Sequence, residues 1–129
     1  MMKLLPTLGG VVALVLLAAD PVHAQTASGP HPGTEASLRR YIESLEKGKP
    51  NYEEMGPQLA RVVREQLPQV LDVIYRVGAL QDIAFQRVDP DNGMDVYRVS
   101  FEHGQIEWRI APLAADGKVI SRGFQELPQ

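Results

Sequence analysis

Between Asp95 and Ile110, in the run DVYRVSFEHGQIEWRI, apolar and polar residues alternate with a period of two. Tyr97, Val99 and Phe101 share one face of a first strand, and Ile106, Trp108 and Ile110 one face of a second. Read with His103-Gly104 as a two-residue turn, the hairpin pairs Phe101 with Ile106, Val99 with Trp108 and Tyr97 with Ile110.

Upstream the period is 3.6. Leu38, Tyr41, Ile42 and Leu45 form the stripe of a three-turn helix, with Thr34 as its N-cap, Glu35 in the first turn, and Gly48 and Pro50 closing it. Residues 51–55 are a linker with room for one helical turn. Gly56-Pro57 opens a long helix whose stripe runs Leu59, Val62, Val63, Leu67, Val70, Leu71, Ile74, Val77 and stops at Gly78. The stripe continues through Pro68, which predicts a kink or two collinear helices rather than a change of direction. From Ala79 the period returns to two. Ile83 and Phe85 mark a strand that ends at the turn cluster Asp89-Pro90-Asp91-Asn92-Gly93. Beyond the hairpin, Pro112 and Asp116-Gly117 introduce a last strand, Val119 to Gln125. Helices followed by a four-stranded antiparallel meander make an α+β domain in which the long helix and the apolar sheet face cover each other.

The first 24 residues read differently. Lys3, the apolar run Val11–Ala19 and the small-residue pattern Val22-His23-Ala24 predict a secretory signal peptide cleaved before Gln25. The run is much shorter than the about 20 apolar residues of a membrane span. Residues 25–33, QTASGPHPG, predict a disordered tether, and residues 34–129 the single domain. The expected location is a periplasm or the medium. There is no cysteine, so there is no disulfide framework and no lipid attachment point. Loss of Lys3 and Asp20 with the leader leaves the net charge of −3 unchanged. That mild acidity argues against nucleic acid, and no polybasic run marks a membrane-binding surface after cleavage.

The meander YRVSFEHGQIEWRIAPLAADGKVISRGF behind two helices resembles the nuclear-transport-factor-like or cystatin-like α+β rolls. The stretches GTEASLRRYIESLEKGKPNYEEM, QLPQVLDVIYRVGAL and FEHGQIEWRI are similar to a small domain of exported bacterial proteins. That domain occurs alone or fused to serine hydrolases of the β-lactamase and penicillin-binding type. The resemblance covers Gly33 to Phe124. It implies fold and compartment, and it brings no catalytic residue.

The chemistry-bearing residues are few. His31 and His103, the histidines left after cleavage, have no second ligand at metal spacing, and no metal or other cofactor is expected. Asp89–Gly93 has a faint likeness to a calcium loop but lacks its downstream glutamate, and turn chemistry explains it. No serine lies in a Gly-x-Ser-x-Gly elbow. Arg98 and Arg109 are opposed in the expected register, with Glu102 and Glu107 near enough to offset the repulsion. Arg122 shares a face with Ile120 and Phe124. A three-residue turn Ala115-Asp116-Gly117 pairs Phe124 with Trp108 and aims Arg122 at the helices; a two-residue turn Asp116-Gly117 sends it to the other face.

These residues predict an opening between the long helix and the sheet, with Tyr97 and Trp108 as walls, Arg122 fixing a carboxylate or phosphate, and Asp95 solvated at the rim. The resulting expectation is an exported, non-catalytic binding or accessory module, with a protein partner such as an exported hydrolase, or a small anionic ligand. The rivals are a small pocket enzyme of the isomerase or cyclase type on the same roll, and an inhibitory or structural partner of an exported serine hydrolase.

Overall fold

A computed structural model describes residues 29–128. The expected leader, and residues 25–28 of the expected tether, lie outside the described residues. The elements are α1 (Thr34–Glu46), a 3₁₀ turn (Tyr52–Glu54), α2 (Pro57–Val77), β1 (Leu80–Val88), β2 (Asp95–Phe101), β3 (Gly104–Ile110) and β4 (Arg122–Glu126). The four strands form one antiparallel sheet in the order β1-β2-β3-β4, with both helices N-terminal to it: the α+β meander that the periodicity predicts. None of the described helices is long and apolar enough to cross a membrane.

The core forms where the stripes meet. Leu38, Tyr41, Ile42 and Leu45 of α1 are buried, as are Leu59, Val63, Val70, Ile74 and Val77 of α2. Against them lie Tyr97, Val99 and Phe101 of β2 and Ile106, Trp108 and Ile110 of β3. Helix α2 runs unbroken through Pro68 and stops at Gly78, whose φ of 83° suits a residue without Cβ. A side chain there would also meet the Glu102 carboxylate at 2.7 Å. Two bulges in β1, between Leu80 and Asp82 and between Phe85 and Arg87, bend that edge of the sheet.

Three expectations need correction. The hairpin turn is Glu102-His103, and the register is two residues from the expected one: Tyr97 pairs Trp108, Val99 pairs Ile106 and Asp95 pairs Ile110. A slip of two keeps every side chain on its face, so alternation cannot detect it. The end of α2 selects the turn: the His103 backbone N–H donates to the Val77 carbonyl at 2.8 Å and that of Glu102 to the Ala79 carbonyl at 3.0 Å. Arg98 therefore faces Glu107, not Arg109, and Arg109 pairs with Glu107 along its own strand.

The N-cap of α1 is Gly33, in the left-handed region at φ 81°, and Thr34 is the first helical residue with its hydroxyl committed elsewhere. The last strand begins at Arg122. Val119, expected within it, forms a parallel bridge to Met55, donating to the Glu54 carbonyl and accepting from Gly56 N–H. Val119 is buried, whereas Ile120 is 58 % exposed.

Candidate functional site

The turn left open by the sequence is the three-residue one. Ala114 N–H donates to the Lys118 carbonyl across Ala115-Asp116-Gly117, and Phe124 pairs with Trp108. Asp95, Ile110 and Arg122 thus form one row across the sheet, and Tyr97, Trp108 and Phe124 the next. All four expected site residues lie on the helix-facing side. They divide into two clusters: Asp95 with Tyr97, and Trp108 with Arg122.

Asp95 is not solvated at a rim; it is fully buried. Its Oδ2 accepts from the His31 backbone N–H at 2.8 Å and from the Thr34 hydroxyl at 2.7 Å, and its Oδ1 lies 2.8 Å from His31 Nδ1. Because the Thr34 hydroxyl has one proton and gives it to Asp95, the Tyr97 phenol donates to Thr34 at 2.7 Å. An acceptor at Nδ1 requires a proton on Nδ1, leaving His31 Nε2 on the opposite side of the ring. Gly29–Gly33, expected to be the end of a tether, is therefore held against the sheet. A cavity of about 630 Å³ opens beside it, lined by Pro30, His31, Glu35, Arg39, Arg40 and Tyr97. Burial raises the Tyr97 phenol above its ordinary pKa.

Sequence reasoning missed His31 and Thr34. The available signal was Asp95 itself: a carboxylate in phase with Tyr97, Val99 and Phe101 lies on the buried face and needs donors there.

The second cluster is built on Trp108, 1 % exposed, edge-on to Tyr41 at 6.3 Å and tilted against Phe124 at 5.2 Å. The Arg122 guanidinium lies 3.4 Å above the Tyr41 ring. Burial lowers its pKa from the ordinary arginine value, partly countered by Tyr41 and, more weakly, Glu54. Burial also raises the Tyr41 phenol, against the pull of Arg122. Glu54 is already held by Arg40 at 2.9 Å. Among the described residues Arg122 has no ion pair, and its Nη2 is buried without a hydrogen-bond partner. A cleft of about 310 Å³ opens beside it between α2 and β4, with Leu59, Val62, Val63 and Val70 on one wall and Trp108 and Phe124 on the other.

No group of three or more metal-ligating side chains occurs among the described residues. The Asp89–Gly93 segment is a turn stabilised by its own side chains: Asp89 Oδ1 accepts from Asp91 N–H and Asn92 Oδ1 from Met94 N–H. Ser44 and Lys47 have the Ser-x-x-Lys spacing of serine hydrolases. The Ser44 hydroxyl donates to the Tyr41 carbonyl at 2.6 Å and accepts from Asn51 N–H, so it fastens the end of α1 to the following loop.

Comparison with known proteins adds no relative: no family model matches the chain, and neither a curated protein nor a solved structure is significantly similar to it.

Proposed function

We propose that this domain is a non-catalytic binding module of an exported protein, built on a roll of the nuclear-transport-factor-like or cystatin-like type, and that it takes an anionic ligand with an apolar body in the cleft at Arg122. The observation that carries this reading is the unpaired cation. Arg122 as a whole is half-buried, but its Nη2 is fully enclosed without a hydrogen-bond partner and no counter-ion balances the charge, so a carboxylate in the cleft would supply both the charge and the missing acceptor. The cleft walls are aliphatic and aromatic, so the same ligand would bury an apolar group.

The test is calorimetric. Phenyl- and alkyl-carboxylates should bind the wild type and release little or no heat with Arg122→Ala, while the corresponding primary amides should bind neither. Equal binding of acid and amide would refute the reading. Export has its own check: N-terminal sequencing of the mature protein should begin near Gln25, and a cytoplasmic protein retaining Met1 would overturn it.

One observation favours a second reading, the small acid–base enzyme. Buried Asp95 orients His31 at the edge of a cavity that also holds Tyr97 and Arg39, the arrangement a general base needs. This reading requires a turnover that His31→Gln abolishes without loss of folding. Binding at Arg122 with no such turnover leaves the binding module.

A further inference from the structure

The cleft at Arg122 lies along a free sheet edge, and that fixes the shape of what it can hold. Among the described residues β4 pairs only with β3. Ala111 N–H donates to the Ser121 carbonyl and Leu127 N–H to the Gln105 carbonyl, so Ser121 and Leu127 point their backbone groups into the sheet. In an antiparallel ladder these groups alternate sides. Gly123 and Gln125 therefore also face β3, and Arg122, Phe124 and Glu126 present N–H and C=O outward. Arg122 and Phe124 direct their side chains toward the helix side, where Phe124 remains 37 % and Val62 38 % exposed. Edge donors, an apolar cleft and an unpaired guanidinium thus occur together on one short strand.

We infer that the occupant of this cleft is the C-terminus of an extended peptide, added to β4 as a fifth strand with its terminal carboxylate on Arg122 and its last side chain, an apolar one, between α2 and Phe124. The inference rests on the anion-binding reading above and names its ligand class. The polarity follows from what blocks each end. Beyond Arg122 the chain is closed, because Val119 uses its N–H and carbonyl on Glu54 and Gly56. A peptide whose carboxylate is at Arg122 can extend only toward Glu126, so it runs antiparallel to β4. The outward groups of Arg122, Phe124 and Glu126 span about 14 Å of strand, enough for a segment of about four or five residues. The Arg76–Glu126 pair at 2.8 Å, joining the end of α2 to the end of β4, marks where that segment leaves the cleft. Backbone pairing supplies sequence-independent affinity, and the terminal carboxylate and last side chain supply selection.

The experiment uses the purified protein and three probes: hexapeptides with a free carboxylate and a C-terminal Leu or Phe, the same peptides amidated, and 4-phenylbutyrate. The free acids should bind at least tenfold tighter than the amides, and Arg122→Gln should bring the acid down to the level of the amide. Amide protons of Arg122, Phe124 and Glu126 should shift and exchange more slowly in the peptide complex. The acid–amide comparison needs no variant, so it holds even if Arg122→Gln does not fold. Binding of 4-phenylbutyrate but not of peptides overturns the peptide inference and leaves the small-anion reading standing. Peptide binding that ignores amidation, or that leaves the three amides unprotected, also overturns it. Failure of all three probes removes both readings.

Discussion

Replacing Asp95 tests whether the N-terminal segment is part of the folded domain. In Asp95→Ala the His31 backbone N–H, His31 Nδ1 and the Thr34 hydroxyl all lose their acceptor. Hydrogen bonds to a charged group contribute about 1.5–3 kcal/mol each, but the three are not additive. Thr34 keeps Tyr97 and the His31 carbonyl as partners. His31 regains water if Gly29–Gly33 lifts away, and the cost of burying a carboxylate disappears. The net loss should be about 2–4 kcal/mol, or a fall in Tm of about 10–20 °C for a domain of this size. Asp95→Asn should cost much less. Its carbonyl can accept the two contacts now made to Oδ2, and its NH₂ can donate to Nδ1 once His31 changes to the Nε2–H tautomer. Urea titration should therefore rank Asp95→Ala well below Asp95→Asn, and ¹⁵N shifts of His31 should report the tautomer change. A His31→Ala and Asp95→Ala cycle should give a coupling of about 1–2 kcal/mol. A loss under about 1 kcal/mol in Asp95→Ala would refute the reasoning, since a fully buried acceptor of three bonds cannot be removed so cheaply.

Three further outcomes follow from packing and charge. Trp108→Ala should destabilise by about 3–5 kcal/mol in denaturant titration, because the indole is enclosed by Tyr41, Phe124 and the paired Tyr97. Arg122→Met should be neutral or mildly stabilising, within about 1 kcal/mol, because a cation without an ion pair, its Nη2 buried and unpartnered, is exchanged for an apolar chain of similar length; a loss above about 3 kcal/mol would mean that its contact with Tyr41 holds the fold. Stability should decline as pH rises above about 10. Tyr41 and Tyr97 are both raised in the fold, so the unfolded chain releases those protons first; thermal unfolding between pH 9 and 11 should show the decline, and Tyr41→Phe with Tyr97→Phe should flatten it.

What could be read from the sequence, and what could not, divides along the range of the interactions involved. Helix stripes and strand faces are local, so Leu38 to Leu45 and Tyr97 to Phe101 are found where their periodicity places them. The register of the hairpin depends on Val77 and Ala79, some 25 residues before the turn they bind, and alternation carries no trace of them. The same holds for Asp95. Adjacent to a turn cluster it reads as a solvated end residue, yet its donors come from His31 and Thr34, more than 60 residues away. Thr34 misleads for a related reason: its hydroxyl would suit an N-cap, but it gives its proton to Asp95 and accepts from the Tyr97 phenol, and Gly33 takes the cap position. The facing of Arg122 rests on a choice between two turns, each compatible with Asp116-Gly117, and the Ala114–Lys118 hydrogen bond and the pairing of Phe124 with Trp108 decide between them.

The other charges in ion pairs show why Arg122 stands out. Arg40, Arg76 and Arg109 each reach a glutamate within 3 Å, Arg40 and Arg76 where solvent would have accommodated them unpaired and Arg109 with its Nε buried and unsatisfied despite its ion pair. Such exposed pairs add little stability. Asp95, the buried acid, gathers three donors. Arg122 is the reverse: desolvation lowers its pKa, and Glu54, the acid whose charge opposes that shift, is committed to Arg40. Tyr41 offers the face of its ring and a side-chain hydrogen bond to the guanidinium, yet Nη2 still has no partner. Folding alone would be served as well by a methionine at this position. Local rules of satisfaction hold around Asp95 and fail at Arg122, and in a minimally frustrated chain such a failure marks a position shaped by something other than stability. The acceptor that Arg122 lacks within the described residues is therefore sought outside them, and the space that adjoins the guanidinium and could admit one is the cleft bounded by α2 and the open edge of β4.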